Sequence, residues 1–107
     1  MGNTLCCASG RRATAAHILT LDRKLAKDLK KKLHRSPDLA RDFAALASQY
    51  SACPSKRDGG NLGTFYPDQM VAEFDEIVFN EEVGVVHGPI ATEFGYHLIL
   101  IEERWDR

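Results

Sequence analysis

The sequence has no apolar run that approaches the roughly 20 residues a helix needs to cross a bilayer. Stretches such as residues 43–47 and 98–101 amount to one turn of helix or one short strand. The N-terminus shows no apolar stretch of secretory-signal length, so a cytoplasmic protein is expected. Cysteine is scarce and odd in number: Cys6, Cys7 and Cys53 are all there are. That count offers no disulfide framework and fits a reducing compartment, and adjacent Cys6 and Cys7 make no Cys-x-x-Cys pair. His17, His34, His87, His97 and the cysteines lack ligand-pair spacing, which leaves no metal site to expect. Net charge is only −1, so the whole molecule has no excess of one sign to draw it to nucleic acid or to a membrane. Gly60-Asn61-Leu62-Gly63 lacks the strand–loop–helix setting of a phosphate-binding loop, and no nucleotide is expected.

What is present is a globular composition, 44% hydrophobic and 27% charged over 107 residues, enough for one core and one domain. Residues 1–12 have no periodicity and read as a flexible tail, with the domain proper at 13–107. Residues 13–20 alternate as a strand, with Ala15, His17 and Leu19 on one face and Ala16 and Ile18 on the other. Asp22 is placed to cap a helix over 23–34, whose stripe is Leu25, Ala26, Leu29 and Leu33. Ser36-Pro37 reads as the start of a second helix, with Leu39, Phe43, Leu46, Ala47 and Tyr50 on one face. Residues 51–64 form an ordered loop ending in an extended piece at Phe65. Asp68 is read as the cap of a third helix bearing Met70, Val71, Phe74, Ile77 and Val78. Residues 84–88 turn the chain, Pro89 opens an edge strand at 90–92, and 93–95 is a hairpin turn into a central strand at 96–103. The expected fold class is α+β: a small four-stranded, mainly antiparallel sheet surrounded by about four helical segments.

Three stretches, in order and at matching spacing, carry a resemblance. They are Ala16-His17-Ile18-Leu19; residues 50–55 with 59–65 and Gln69-Met70-Val71-x-x-Phe74; and residues 88–99, Gly-Pro-Ile-Ala-Thr-x-Phe-Gly-Tyr-His-Leu-Ile. Together they resemble the parvulin family of peptidyl-prolyl cis/trans isomerases over about residues 13–104. The resemblance implies a stand-alone isomerase that acts as a monomer without a cofactor on proline-containing peptides and on unfolded or folding proteins. It implies a proline cup of Leu62, Met70 and Phe74, a histidine pair His17 and His97, a groove cysteine Cys53, and Thr92 as the hydroxyl touching the pair. Gln69 and Phe94 would border the groove. Asn61 stands where many members have Asp, and either side chain can bond turn backbone.

The chemistry suits these residue types. Rotation about X–Pro breaks amide resonance over a barrier of roughly 18–20 kcal/mol, and no covalent attack is needed. An apolar cup that excludes water favours the twisted, less charge-separated amide. Leu62 and Phe74 are equally at home as ordinary core residues, and the histidine pair serves either catalysis or groove shape. A binding or chaperone module on the same fold is one alternative. A thiol hydrolase using Cys53, His97 and Asn61 is another, without a supporting local signature. Only residues 20–22 separate the first strand from the first helix, too few for a basic phosphate clamp, so no phosphoserine or phosphothreonine requirement is expected.

Arg23, Lys24, Lys27, Lys30, Lys31, Lys32 and Arg35 crowd one helix. A solvated face is the ordinary reading, and contact with an anionic surface around Lys24 to Arg35 is the alternative. Gly2 with Cys6 and Cys7 offers dual acylation and membrane association, although Cys6 occupies the position where the acylation pattern has Ser or Thr.

Overall fold

A computed structural model describes residues 11–106; Gly2, Cys6 and Cys7, and with them the acylation reading, lie outside the described residues. The chain runs β1 (Arg11–Thr20), α1 (Arg23–His34), α2 (Leu39–Tyr50), a 3₁₀ turn (Pro54–Asp58), β2 (Asn61–Phe65), α3 (Ala72–Asn80), β3 (Val86–Thr92) and β4 (Gly95–Asp106). The four strands form one antiparallel sheet in the order β2-β1-β4-β3. The expected α+β class is therefore the observed one.

The sheet divides the core in two. Alternation along the central strands sends Ala16, Ile18, Leu98 and Leu100 to one face. There they meet Ala26, Leu29 and Leu33 of α1 and Phe43 and Ala47 of α2. Ala13, Ala15, Ile99 and Ile101 point to the other face, against Phe65 of β2 and Phe74, Val78 and Phe79 of α3. β4 is apolar on both sides because it lies between β1 and β3 with helices on each face. α1 begins at the expected cap: Asp22 accepts from the Lys24 N–H at 2.9 Å.

Several boundaries differ from the sequence reading. β1 starts at Arg11 rather than at 13, because Arg11 and Arg12 pair with Asp106 and Trp105 of a longer β4. Asp38, not Ser36, caps α2, accepting from the Arg41 N–H at 3.3 Å. Ser36 instead accepts from the Asp38 N–H and donates to the Asp42 carboxylate at 2.6 Å. Asp68 caps nothing. It sits at φ 71° in a turn, with its N–H donated to the Asp75 carboxylate, and α3 starts only at Ala72. β3 starts at Val86, ahead of Pro89, since an edge strand with a register break between His87 and Ile90 tolerates a residue without an N–H.

The C-terminal carbonyls of α3, which a helix leaves without partners, are taken by arginines from the sheet. Arg104 Nη1 donates to Val78 O at 3.0 Å and Glu81 O at 2.6 Å. Arg11 donates to Phe79 O and lies over the Phe79 ring at 5.2 Å. Arg104→Met is expected to destabilise the fold by about 1–2 kcal/mol through loss of charge-assisted bonds, read as a lower urea midpoint at unchanged slope. A midpoint equal to that of the wild type would remove this arginine from the account of how α3 is held.

Candidate active site

β1 and β4 bring together two histidines 80 residues apart. Register pairs His17 with Ile99 and Leu19 with His97, so the two rings project from the α3 face as diagonal neighbours within side-chain reach. Both are buried, at 6% and 5% exposure. Their Nδ1 atoms lie 3.1 Å apart, and the rings are near parallel at 19°. Phe74 of α3 presents edge-on contacts to both, at 5.8 and 6.1 Å. The backbone fits closely around the pair. A Cβ on Gly60 would stand 2.4 Å from His17 O, and one on Gly88 would stand 2.4 Å from His97 O; both glycines also have positive φ, so no side chain fits at either place.

The hydrogen bonds continue outward. Thr92 Oγ1 is 2.8 Å from His97 Nε2 and accepts from the Phe94 N–H at 3.1 Å. A single proton between the Nδ1 atoms makes one ring the donor and the other the acceptor. In one arrangement Thr92 donates to His97 and His97 donates to His17. In the other His17 donates to His97 and His97 to Thr92. Both keep the pair neutral, and both leave His17 Nε2, buried and without a partner, as the open end of the chain. Burial, reinforced by the neighbouring His97, pushes the His17 pKa down from 6.5 to about 4. Burial also lowers His97, while the Glu73 carboxylate pulls it upward.

These rings floor a cavity of about 180 Å³ walled by Cys53, Leu62, Met70, Val71, Phe74 and Phe94. No Lys, Arg, Asp or Glu lines it. A hollow of about 270 Å³ near Leu39, Gly84 and Leu100 is larger, but histidines and a thiol converge only on the cup. Leu62 comes from β2. Met70 and Val71 come from the segment before α3, and Phe94, 55% exposed, forms the lip at the β3–β4 turn. Cys53 is delivered by Ser51, a buried residue that sequence reasoning missed. Its Oγ accepts from Leu19 N–H at 3.1 Å and Cys53 N–H at 3.3 Å, tying the end of α2 to β1. Val71 was expected only as a helix-face residue. Gln69, expected at the groove border, is not part of the cup wall; its Oε1 closes a turn by accepting from the Tyr66 N–H at 2.7 Å. Asn61 Oδ1 accepts from the Gly63 N–H at 2.7 Å, the backbone bond foreseen for either Asn or Asp there. Among the described residues, no group of three or more His, Cys, Asp or Glu could hold a metal ion.

The family model of the PPIC-type PPIase domain matches residues 11–103. The foldase protein PrsA of Geobacillus sp. (strain WCH70) is 43% identical over 94 residues, 87% of this chain and 33% of PrsA. This chain thus spans about a third of the length of the curated relatives it matches, 33%, 31% and 31% for three of them. Among solved structures, one from a study of two SurA-like chaperones of Campylobacter jejuni superposes with a TM-score of 0.83 at 38% identity, covering 88% of this chain and 39% of that one. The parvulin of Nitrosopumilus maritimus gives 0.75 at 33% identity, covering 87% of this chain and 97% of its own.

The depressed His17 pKa sets a sign for stability. Above about pH 6.5 the imidazole is neutral both folded and unfolded. As pH falls from 6.5 toward 4, the unfolded chain takes up a proton that the folded site refuses, so stability is lost across that window. The loss expected from His17 is on the order of 2–3 kcal/mol. Urea midpoints of wild type and His17→Gln, compared between about pH 7 and 5, should show the steeper fall in the wild type. Parallel curves would rule out a proton-refusing His17.

Proposed function

The chain belongs to the PPIC-type peptidyl-prolyl isomerase domain family, and on that premise we propose that it accelerates rotation about X–Pro bonds in peptides and folding proteins, without a covalent intermediate and without a requirement for phosphate. The observation that carries this reading is the uncharged, mostly apolar cup floored by two neutral histidines. A proline ring seated against Leu62, Met70 and Phe74 leaves water behind, and the planar amide, the more dipolar form, loses more by that than the twisted one. Met70 adapts to the ring as it moves. The His17–His97 pair and Thr92 hold the polar end of the cup in a fixed geometry, and the open Nε2 of His17 is the ring atom left to meet a polar group of the substrate.

Cys53 acts in this reading as a wall residue near the substrate carbonyl. Covalent chemistry lacks an oriented base: both ring nitrogens of His97 are engaged, with His17 and Thr92, Asn61 is spent on Gly63, and the open Nε2 of His17 belongs to an imidazole that burial holds neutral. Its free thiol also underlies the reading of a reducing, cytoplasmic setting. A proline-binding chaperone module without turnover is the second reading, favoured by the likeness to the Campylobacter chaperones.

Cis-to-trans exchange in short peptides, followed by protease coupling or exchange NMR, separates the two. Leu or Phe before proline should give marked acceleration and phosphoserine no gain, because no Lys or Arg reaches the cup. Met70→Ala and Phe74→Ala should each lower kcat/KM about tenfold or more, the equivalent of about 1.4 kcal/mol. Folded protein that accelerates no peptide would leave the binding module in front.

A further inference from the structure

Charge is segregated in this chain in a way the net value of −1 conceals. Residues 23–57 carry ten Lys and Arg against three Asp and Glu, whereas residues 58–103 carry ten Asp and Glu and no Lys or Arg. The two helix layers differ in charge, although Arg11 and Arg104 reach the α3 side and Asp28, Asp38 and Asp42 lie on the other. α1 and α2 pack on one face, while α3, with Glu73, Asp75 and Glu76, packs on the other beside the cup.

The basic population is densest on α1. With Ala26, Leu29 and Leu33 turned inward, helical periodicity places Lys24, Lys27, Lys31 and Arg35 along the outer face, a stripe about 16 Å long in which Asp28 is the one acid. All four are exposed. Among the described residues no ion pair joins them: the ion pairs of this region belong to Arg41, with Asp38 and Asp42. Lys30 is the exception in role, since its Nζ donates to Gly88 O at 2.6 Å and pins α1 to β3.

Helix stability accounts for only the C-terminal half of this stripe, since Lys31 and Arg35 lie at the end where the helix dipole favours cations. α1 opens with Arg23 and Lys24 and has no acid in its first turn, where the positive end of the helix dipole favours anions. The composition also selects among anionic partners. Four of the six exposed cations Arg23, Lys24, Lys27, Lys31, Lys32 and Arg35 are lysines, point charges suited to a diffuse field rather than the forked geometry that reads a single phosphate. No aromatic side chain lies on α1 to stack on nucleic-acid bases.

We propose that the outer face of α1 docks on an anionic lipid bilayer, holding the molecule at the headgroups with its acidic, cup-bearing face turned to the solvent. This orientation leaves the cup open to polypeptide while the domain is bound. The docking itself stands apart from the isomerase reading and is tested by flotation, and only the open orientation of the cup rests on that reading and is tested by turnover.

Flotation with phosphatidylcholine vesicles containing about 30% phosphatidylglycerol should retain the protein in about 10 mM salt and release it near 1 M, where screening shortens to about 3 Å. Pure phosphatidylcholine should not retain it. A Lys24→Gln/Lys27→Gln/Lys31→Gln variant should partition on the order of a hundredfold more weakly, about fivefold per lysine removed. Its urea midpoint and its peptide kinetics should match the wild type, and wild-type kinetics should persist on vesicles. Retention by neutral lipid, equal retention of the triple variant, tighter binding to RNA than to vesicles at the same salt, or loss of peptide turnover on vesicles would each overturn the proposal.

Discussion

Antiparallel pairing of β1 with β4 is the constraint on which the other features depend. It joins the first described strand to the last, so each must be apolar on both faces, and it gives the two helix layers a common floor. The same register sets His17 and His97 on a diagonal where their Nδ1 atoms reach 3.1 Å. A slip of one residue in either strand would turn that histidine toward α1 and α2 and put a neighbour in its place, Ala16 or Ile18 for His17 and Tyr96 or Leu98 for His97. Core and site are therefore specified by one alignment, and the glycines that abut the two histidine carbonyls narrow the backbone geometry that can deliver it.

A buried histidine pair would be costly if it were charged. Here the cost is avoided by neutrality. One shared proton and one hydroxyl satisfy every ring nitrogen but His17 Nε2, and the Phe94 N–H in turn holds that hydroxyl. The pair can then stand beneath an apolar cavity without filling it with field, as the proposed preference for a less dipolar amide requires. Glu73 opposes this by drawing His97 back toward its ordinary pKa, and its place at the first turn of α3 is also where a helix welcomes an acid. One carboxylate thus serves the helix and acts against the neutrality of the site.

Much of this was legible in the sequence. Period-two alternation in residues 13–20 assigned each side chain to its face, and the stripes of α1 and α2 named the residues that fill the core. The cup was legible through family resemblance, since nothing in the spacing alone separates Leu62 or Phe74 from ordinary core. The errors share a cause. Ser36 against Asp38 as a cap and Asp68 as a cap both concern short polar side chains whose partners are chosen by local backbone geometry. Ser36 and Asp38 both offer an oxygen, and a bond from Ser36 to Asp42 decides between them. Ser51 went unnoticed because a serine at a helix end looks like solvent-facing polarity, whereas its hydroxyl faces inward and fixes Cys53.

The placement of Cys53 bears on what kind of chemistry the fold permits. A thiol beside two histidines invites a nucleophilic reading, and the residue types alone cannot refuse it. The geometry can. A histidine activates a thiol through a free ring nitrogen and is oriented through the other. His97 has both nitrogens engaged. His17 is bound through Nδ1 to another neutral imidazole, with no carboxylate behind it to stabilise an imidazolium, and its burial penalises that cation further. In the proposed reading, the neutrality that suits the cup to a twisted amide also withholds the charged histidine that covalent chemistry would use.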